Sequence, residues 1–386
     1  MQFRSVIAYR LTQKLEINQT ELDKALASKT FRPCGSQDLS TVGFTPPLPS
    51  TEGEANDAEP ALSLWAENCV LVRLLTESKN LPEGAVRLKV DEKVKTIEKE
   101  QLRKVYRKEK DQLRDEVIQE HLPKALTKRA STHAAIDLTQ GVIYVEAKNH
   151  KQAEALLSTL REALGSLPVR PVSTKVAPSA TLTDWIRNQQ ASDDFFILSD
   201  CEMQSPGEET SVVRFKNSDL SSDEVLAHIG TGNMVVKLSL AFKDKLSFVL
   251  QDNLQIKSLR LEDLLIEQAS KNGGDDSASQ YTATFVMSVL TLREMMTSLL
   301  DALGGEVTPE SIGGEAESVE APATVPLAEA AEKYVVENQR ASISALQRKL
   351  KIGYNEAARQ MEALQARGIV SAMDEKGART VLVSAA

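Results

Sequence analysis

The stretch DALGGEVTPESIGGEAESVEAPATVP, residues 301–326, decides how this chain is organised. It holds six acidic side chains and no Lys or Arg, and Gly, Pro, Ser and Thr make up much of the remainder. Such a segment cannot bury enough apolar surface to offset the entropy it would lose on ordering, and its charge extends it. We therefore predict two folded parts joined by a flexible acidic linker, with boundaries at 1–303, 304–326 and 327–386.

The composition is that of a soluble globular protein. Of 386 residues, 41% are apolar, 26% are charged and only 4% are aromatic, which argues against a surface built mainly on base stacking. Cys34, Cys69 and Cys201 are far apart and odd in number, which favours a reduced, cytoplasmic protein over a disulfide framework. The start lacks a signal-peptide pattern, and no apolar run approaches the roughly 20 residues of a membrane helix. We expect no contact with a membrane.

The net charge of −9 is unevenly distributed along the chain. Residues 1–300 carry −5, the linker carries −6, and residues 327–386 carry +2. Within the first part, residues 89–129 hold 13 basic and 9 acidic side chains, a net charge of +4. The negative net charge of the whole chain is therefore compatible with basic patches of the kind that contact nucleic acid.

The charged segment 89–129 has the spacing of helices. Val90, Val94 and Ile97 recur at helical intervals, and so do Leu113 and Val117. Between them the chain is polar on every side, as in helices that project from a protein body. Two interpretations remain open. A solvated helix laced with i,i+4 ion pairs is favoured by composition, and the other is an arm whose basic side chains contact phosphate or a partner subunit.

The rest of the first part mixes strands and helices, which predicts an α+β fold. Residues 234–242 and 246–250 are apolar runs separated by Lys243, Asp244 and Lys245, typical of a hairpin. Further short strands are predicted at 6–9 and 142–145, and helices at 149–164, 183–190, 221–229 and 283–303.

Signals for enzymatic chemistry are weak. The four histidines show no metal-binding spacing, there is no phosphate-binding glycine loop, and the carboxylates single out no pair. We therefore predict a protein that is not an enzyme, with no catalytic residue, metal site or cofactor. A nuclease assembled from distant acidic residues is the alternative that this argument leaves open.

Residues 327–386 have the pattern of a winged helix. A first helix spans 327–339, a second begins at the capping box that starts at Ser344, and a third spans 355–366. Gly368 follows the third helix, at the position where a residue in the left-handed conformation commonly ends a helix. Residues 369–371 and 380–383 are predicted to pair as the wing hairpin.

Helix–turn–helix geometry places the start of the third helix in the major groove of DNA. Asn355 suits adenine and Arg359 suits guanine. Side chains suited to phosphate are Arg348, Lys349, Lys351 and Arg379. The alternative is that this module docks on a protein, as some winged helices do.

The run RASISALQRKLKIGYNEAARQMEALQARGIVS, residues 340–371, resembles the gamma domain of FtsK-type DNA translocases. The resemblance implies a domain that reads short G-rich sequences through its recognition helix, with Asn355 and Arg359 at contact positions. Glu356 departs from the Arg that is common there. A carboxylate cannot pair with the acceptors of guanine, so the target sequence is expected to differ.

Residues 1 to about 306 resemble the RdgC family of bacterial recombination-associated proteins. The resemblance rests on FRPCGSQD (31–38), VGFTPPL (42–48), EKDQLRDEVIQEHLPKAL (109–126), LREALGSLPV (160–169), TLTDWI (181–186) and ALGGE (302–306). It implies horseshoe-shaped α+β subunits that pair into a closed ring homodimer. Duplex DNA passes through the basic hole of such a ring, which restrains strand exchange by the RecA recombinase without enzymatic activity.

The resemblance also implies particular site residues. Contacts of the ring with DNA fall on Lys110, Arg114 and Lys216, and we add the neighbouring cations Arg107 and Lys108. A second Lys is common in the family where this chain has Asn217. Ring-closing dimer contacts are expected near 122–129, at Leu122 and Leu126, and an aromatic residue is common where Leu126 stands.

The sequence thus predicts a cytoplasmic, nucleoid-associated protein that encircles double-stranded DNA as a ring homodimer and limits the access of RecA. Its tethered winged helix would direct loading to chosen sequences. The alternative is an adaptor that docks on a recombinase or a DNA translocase through its C-terminal module.

Overall fold

The computed structural model describes residues 3–48, 61–206 and 211–308 without Asp275, and, further on, 331–332, 334–336, 361, 363–365, 367, 369–371 and 381–382. The chain divides into two compact units, Met1–Ile312 and Gly313–Ala386, which we call the large unit and the C-terminal unit.

A seven-stranded antiparallel sheet lies in the large unit, in the order β2-β4-β5-β6-β1-β7 with β3 also paired to β4. Its strands are β1 (Ile7–Leu11), β2 (Ser40–Thr45), β3 (Ser63–Ala66), β4 (Cys69–Lys79), β5 (Thr127–Asp137), β6 (Val142–Val145) and β7 (Val169–Pro171). The strands β2 and β3 share one edge of the long strand β4, where β3 pairs with residues 69–72 and β2 with 73–78.

A five-stranded antiparallel sheet follows, in the order β12-β11-β10-β8-β9. Its strands are β8 (Phe195–Gln204), β9 (Val212–Phe215), β10 (Met234–Phe242), β11 (Leu246–Gln251) and β12 (Ile256–Leu261). The helices of the large unit are α1 (Gln19–Ala27), α2 (Glu83–Gln101), α3 (Arg107–His121), α4 (His150–Leu164), α5 (Pro178–Asn188), α6 (Asp223–Gly230), α7 (Asp263–Asn272) and α8 (Ser277–Ala302).

Both faces of the seven-stranded sheet are covered. In β6 every side chain is buried: Val142 and Tyr144 join the apolar cluster that contains the second sheet and α8. Ile143 and Val145 join the cluster that contains residues of α1 and α4. Because side chains alternate along a strand, burial on both faces requires an apolar residue at every position, as β6 has.

The helices α2 and α3 form a hairpin that is inserted between β4 and β5. Val90 and Val94 of α2 are buried with Leu113 and Val117 of α3, in a cluster distinct from the two that flank the seven-stranded sheet. We call residues 83–121 the helical hairpin. It has a small core of its own, and its other faces carry charged side chains.

Most predicted elements are confirmed, and the differences lie mainly at helix starts. The hairpin of β10 and β11 has the predicted bounds within one residue, with Phe242 paired to Leu246. The helix predicted from 183 begins at Pro178, since proline suits the first helical position. The helix predicted from 283 begins at Ser277, because the Asp276 carboxylate accepts the Ser279 N–H and caps it.

The long helix α8 bears on the expectation that no apolar run approaches the length of a membrane-spanning helix. Among the described helices, α8 is the one long and apolar enough to cross a membrane by length and composition. Its apolar side chains, among them Phe285, Val289 and Leu292, are buried in the core of the large unit. Arg293 and Glu294 interrupt the apolar run; Arg293 pairs with Asp137 of β5, and Glu294 pairs with Lys245 in the turn between β10 and β11. Burial within the unit accounts for the apolar composition.

The boundary expected at residue 303 is also wrong, because residues 304–308 belong to the large unit. The Gly305 carbonyl accepts the Lys175 N–H at 3.0 Å, and the Val307 N–H donates to the Ser173 carbonyl at 3.0 Å. The Glu306 carboxylate accepts from the Arg10 guanidinium at 3.0 Å and from the Arg170 guanidinium at 2.7 Å. An acidic residue that composition assigns to the linker is thus held by two arginines.

The described part of the C-terminal unit has an apolar core. Residues 331–332, 334–336, 361 and 363–365 are helical. Ala331 and Val335 are buried with Met361 and Leu364. The predicted pairing of two C-terminal strands is confirmed where it is described, since Val370 pairs with Val381 in antiparallel fashion.

Candidate nucleic-acid interface

The four predicted cations of α3 lie on the exposed surface of the helical hairpin. Leu113 and Val117 turn toward α2, whereas Arg107, Lys108, Lys110 and Arg114 are exposed. This arrangement follows from helical geometry, since residues three or four apart share one face and the apolar pair takes the inner one.

These cations differ in whether an acidic group neutralises them. Arg114 approaches the Glu83 carboxylate at 3.4 Å, and both side chains are more than half exposed. Within the part of the chain that is described, Arg107, Lys108 and Lys110 have no carboxylate within ion-pair distance. These three side chains are available to an external anion such as a DNA phosphate.

Other cations of the helical hairpin are occupied by acidic neighbours. The Arg103 guanidinium donates two hydrogen bonds to the Glu109 carboxylate, at 2.7 and 2.6 Å, and they lower the pKa of that carboxyl. Lys93 of α2 pairs with Glu120 of α3 at 3.2 Å. Ion pairs are thus present in the helical hairpin, but two of those described, Lys93–Glu120 and Glu83–Arg114, bridge the two helices rather than join i,i+4 neighbours.

An open cavity of about 470 Å³ lies between the two helices. Lys110 and Arg114 line one side of it, and Arg87 of α2 lines the other. Sequence reasoning missed Arg87, because it falls just before the segment whose charge was counted.

Lys216 lies apart from the helical hairpin in the chain and is exposed just after β9. Its neighbour Asn217 has φ of 48°, a left-handed conformation that Asn adopts more readily than Lys. This conformation gives a physical reason for an Asn at that position.

The neighbouring strands hold their cations in ion pairs. The Glu202 carboxylate accepts from Arg214 at 2.7 Å and from Lys237 at 2.8 Å. Partial burial raises the pKa of Glu202, but these hydrogen bonds outweigh it and hold the pKa below its usual value. Lys216 has no such acidic partner among the described residues.

The two residues predicted to close a dimer differ in exposure. Leu126 is 80% exposed. Leu122 is 3% exposed, in the short 3₁₀ turn Leu122–Lys124 that follows α3. The expectation of a direct contact through Leu122 is therefore corrected, because its side chain is buried within its own chain.

Arg129, at the end of the predicted contact region, has a structural role. Its guanidinium donates to the Glu77 carboxylate at 2.8 Å and lies 5.8 Å from the centre of the Phe31 ring. Hydrogen bonds from the Cys34 N–H and from Arg129 hold the pKa of Glu77 below its usual value. Sequence alone could not separate this bound arginine from the free cations of α3.

The predicted DNA-reading residues of the C-terminal unit lie outside the described residues. They are Arg348, Lys349, Lys351, Asn355, Arg359 and Arg379.

The described part of the chain contains no cluster of three His, Cys, Asp or Glu side chains that could hold a metal ion. Burial raises the pKa of the Cys69 thiol to about 11 and that of Cys201 to about 12. Both thiols are therefore protonated at neutral pH and are poor nucleophiles.

Comparison with known proteins identifies two families along the chain. Residues 1–306 match the family described as "Putative exonuclease, RdgC", and residues 324–384 match the FtsK gamma domain.

Curated relatives match the first of these regions over their whole length. A recombination-associated protein RdgC of Pseudomonas aeruginosa is 49% identical over 312 residues, which is 81% of this chain and 100% of the relative. The proteins of the same name from Pseudomonas paraeruginosa and Pseudomonas putida are 50% and 46% identical over the same length. The chain belongs to the RdgC family, and it carries a region similar to the FtsK gamma domain after the part that it shares with these relatives.

Proposed function

We propose that this protein binds double-stranded DNA without cleaving it and modulates homologous recombination. The observation that carries the proposal is the set of exposed cations on α3 that have no acidic partner within the described ranges, Arg107, Lys108 and Lys110. They lie on a helical hairpin whose own core fixes the spacing between them. Rigid presentation of cations favours phosphate contacts, because little side-chain and loop ordering remains to be lost on binding.

A ring homodimer is the assembly in which we propose that the large unit acts. Leu126, exposed beside the helical hairpin, would supply a contact between subunits. Arg114 and Lys216 would join the three free cations on the inner wall of the ring. An encircling protein limits access of RecA to the duplex by occupying it, and it needs no sequence preference to do so.

The C-terminal unit is proposed as a tethered winged helix that reads DNA sequence. Asn355 and Arg359 would contact bases, and Arg348, Lys349, Lys351 and Arg379 would contact phosphates. A tether places the second site at an effective concentration in the roughly millimolar range, so a weak reader would still bias where the ring loads. Action on DNA implies a cytoplasmic, nucleoid-associated protein.

Retention on circular DNA tests encirclement directly. The full-length protein is bound to a closed circular plasmid and to the same plasmid linearised, and both complexes are challenged with high salt. We expect retention on the circle and release from the linear form, because a closed ring can leave only over an end. Equal release from both forms would contradict encirclement, and failure to retard any duplex at low salt would contradict DNA binding itself.

An adaptor that docks on a recombinase or translocase is the second candidate, favoured by the low net charge of +2 in residues 327–386. The substitution Arg359→Ala distinguishes the adaptor from the sequence reader. If the C-terminal unit reads DNA, the variant loses its sequence preference in a selection from random duplexes. If the unit docks on a protein, the variant binds DNA as the natural protein does.

Cleavage is tested separately, because the matching family is described as a putative exonuclease. Purified protein incubated with labelled DNA and magnesium is expected to leave the DNA intact.

A strand exchange reaction promoted by RecA is expected to slow as the protein is added.

A further inference from the structure

The turn that joins α2 to α3 exposes two large apolar side chains at the outer end of the helical hairpin. Leu102 is 91% exposed and Tyr106 is 74% exposed. The residues between and just beyond them are strongly basic, since the seven residues 102–108 (LRKVYRK) contain four cations and no acid. Exposed apolar side chains grouped within a basic surface are typical of a binding site rather than of a solvated turn.

This turn is held in place from within. Val105, which directly precedes Tyr106, is 6% exposed and belongs to the core of the helical hairpin. Its N–H donates to the Glu98 carboxylate at 3.1 Å. Arg103 is fixed by two hydrogen bonds to Glu109. The exposed positions of Leu102 and Tyr106 are therefore consequences of an anchored backbone.

Leu102 also has an unfavourable backbone conformation. Its φ and ψ are 50° and 34°, in the left-handed region, where it ends α2. Glycine or asparagine is the usual residue at such a helix end, because glycine has no Cβ atom to clash there and the short polar side chain of asparagine can hydrogen-bond locally. A leucine that is both strained and solvated contributes nothing visible to the stability of the isolated chain, which points to a contact outside it.

The surrounding charges indicate what that contact is. Lys104, Arg107 and Lys108 have no acidic partner among the residues that the structure describes. An apolar protein partner would leave these cations unpaired, whereas DNA offers phosphates for them and base surfaces for the apolar side chains. Apolar side chains act as wedges against base steps in several DNA-binding proteins, and tyrosine stacks on bases.

We propose that the α2–α3 turn is a base-contacting element, in which Leu102 and Tyr106 pack against the bases of bound duplex DNA while Lys104, Arg107 and Lys108 hold the flanking phosphates. This inference rests on the proposed binding of duplex DNA. It adds contact with bases to an interaction that phosphate contacts alone would explain.

The affinity test compares three forms of the full chain on a 30-base-pair duplex: the natural sequence, Tyr106→Ala and Tyr106→Phe. Loss of the ring is expected to weaken binding roughly fivefold, the low end for base stacking, because packing against the bases of a duplex also costs unstacking energy; Phe, which keeps the ring, is expected to restore binding. Because Tyr106 is exposed, the alanine variant is expected to fold normally. If Tyr106→Ala binds as tightly as the natural protein, the base contact is overturned while DNA binding stands. If the natural protein binds no duplex, both proposals fall.

A spectroscopic test reports the contact wherever the protein sits along the DNA. Tyr106→Trp places a fluorophore in the turn, and Leu264→Trp places a matched one at a site that is 70% exposed on α7. Duplex DNA is expected to quench the added emission at 106 and not at 264, because stacking on bases quenches indole. Heparin, a polyanion without bases, is expected to bind without quenching. Equal quenching by heparin, or a change that depends on protein concentration without DNA, would overturn the proposal in favour of ionic proximity or self-association.

Discussion

The helical hairpin and the surroundings of α8 are both rich in basic side chains, but they hold them differently. Around α8, the Arg293 guanidinium donates to both oxygens of the buried Asp137 carboxylate, at 2.7 and 2.9 Å. Lys243 and Lys245 both bind the Glu294 carboxylate. In the helical hairpin, Arg107 and Lys108 have no carboxylate within reach among the described residues.

This difference separates charges that stabilise the fold from charges that are available for binding. Cations around α8 join the helix to the rest of the large unit, and removal of Arg293 would leave the buried Asp137 carboxylate without its cation. Cations on α3 point to solvent from the helical hairpin, whose core consists of valine and leucine side chains. A count of basic residues cannot distinguish the two groups of cations. The presence or absence of an acidic partner in the structure distinguishes them. The following substitutions test this distinction.

Removal of Arg293 is expected to have the largest effect on stability. Arg293→Ala leaves the Asp137 carboxylate, which is fully buried, without its cation. We expect the free energy of unfolding to fall by about 3 kcal/mol, the lower end for a broken buried pair, since two backbone N–H groups still donate to Asp137. Urea unfolding followed by the fluorescence of Trp65 and Trp185 measures it.

The matched control on the other side of the comparison is Lys108→Ala. Its free energy of unfolding is expected to stay within about 0.5 kcal/mol of the natural protein, because the side chain is exposed and has no ion pair with any described residue. Equal destabilisation by the two substitutions would show that the division between structural and available cations is wrong.

A substitution in the core of the helical hairpin tests whether that core is separate. Val117 is fully buried there, and Val117→Ala is expected to cost about 2 kcal/mol through lost apolar contact and a residual cavity. Amide hydrogen exchange in α2 and α3 should accelerate by roughly 30-fold, while exchange in β6 and α8 stays unchanged. Acceleration spread evenly over the large unit would mean that the helical hairpin does not open on its own.

The ion pairs at the end of α8 are expected to show the smallest effect, in the form of a pH dependence. Hydrogen bonds from Lys245 and Lys243 hold the pKa of Glu294 below its ordinary value of 4.5. A lowered carboxyl pKa stabilises the fold above pH 4.5, and this contribution is lost as the pH falls through the folded-state value.

Glu294→Gln removes this contribution. It should lower the free energy of unfolding at pH 7 by at most about 1 kcal/mol, because the pair is partly exposed, and should reduce its dependence on pH below 4.5. Thermal unfolding between pH 3 and 7 measures this, and an unchanged acid dependence would remove Glu294 from the structural group.

Sequence patterns predicted the elements well where periodicity and local stop signals agree. The spacing of Val90, Val94, Leu113 and Val117 placed the buried faces of α2 and α3 correctly, because helical periodicity alone fixes them. Helix starts were less accurate, since the Asp276 cap of α8 competes with other polar residues that look equally suitable in the sequence.

Features that depend on contacts between distant residues could not be predicted. Glu306 looked like one more acid of a linker, and only the fold brings Arg10 and Arg170 to it. Leu122 and Leu126 are equivalent in the sequence, yet one is buried and the other exposed. The exposed pair Leu102 and Tyr106 has a local signal, two apolar residues among four cations, which becomes informative only once the buried Val105 between them is known.

The central claim is that the free cations of α3 contact DNA phosphates. It is tested most directly by the salt dependence of duplex affinity for three forms of the full chain. These are the natural protein, the triple variant Arg107→Ala, Lys108→Ala and Lys110→Ala, and a control with three other exposed lysines changed, Lys24→Ala, Lys148→Ala and Lys151→Ala. Both variants lose the same charge, so a general effect of net charge would alter them equally.

The account predicts that the slope of log affinity against log salt becomes shallower by roughly 2.7 for each protomer of the triple variant, since about 0.9 is lost for each phosphate contact removed. The control should retain nearly the slope of the natural protein. Equal slopes for the natural protein and the triple variant, or equal losses in the two variants, would contradict the claim.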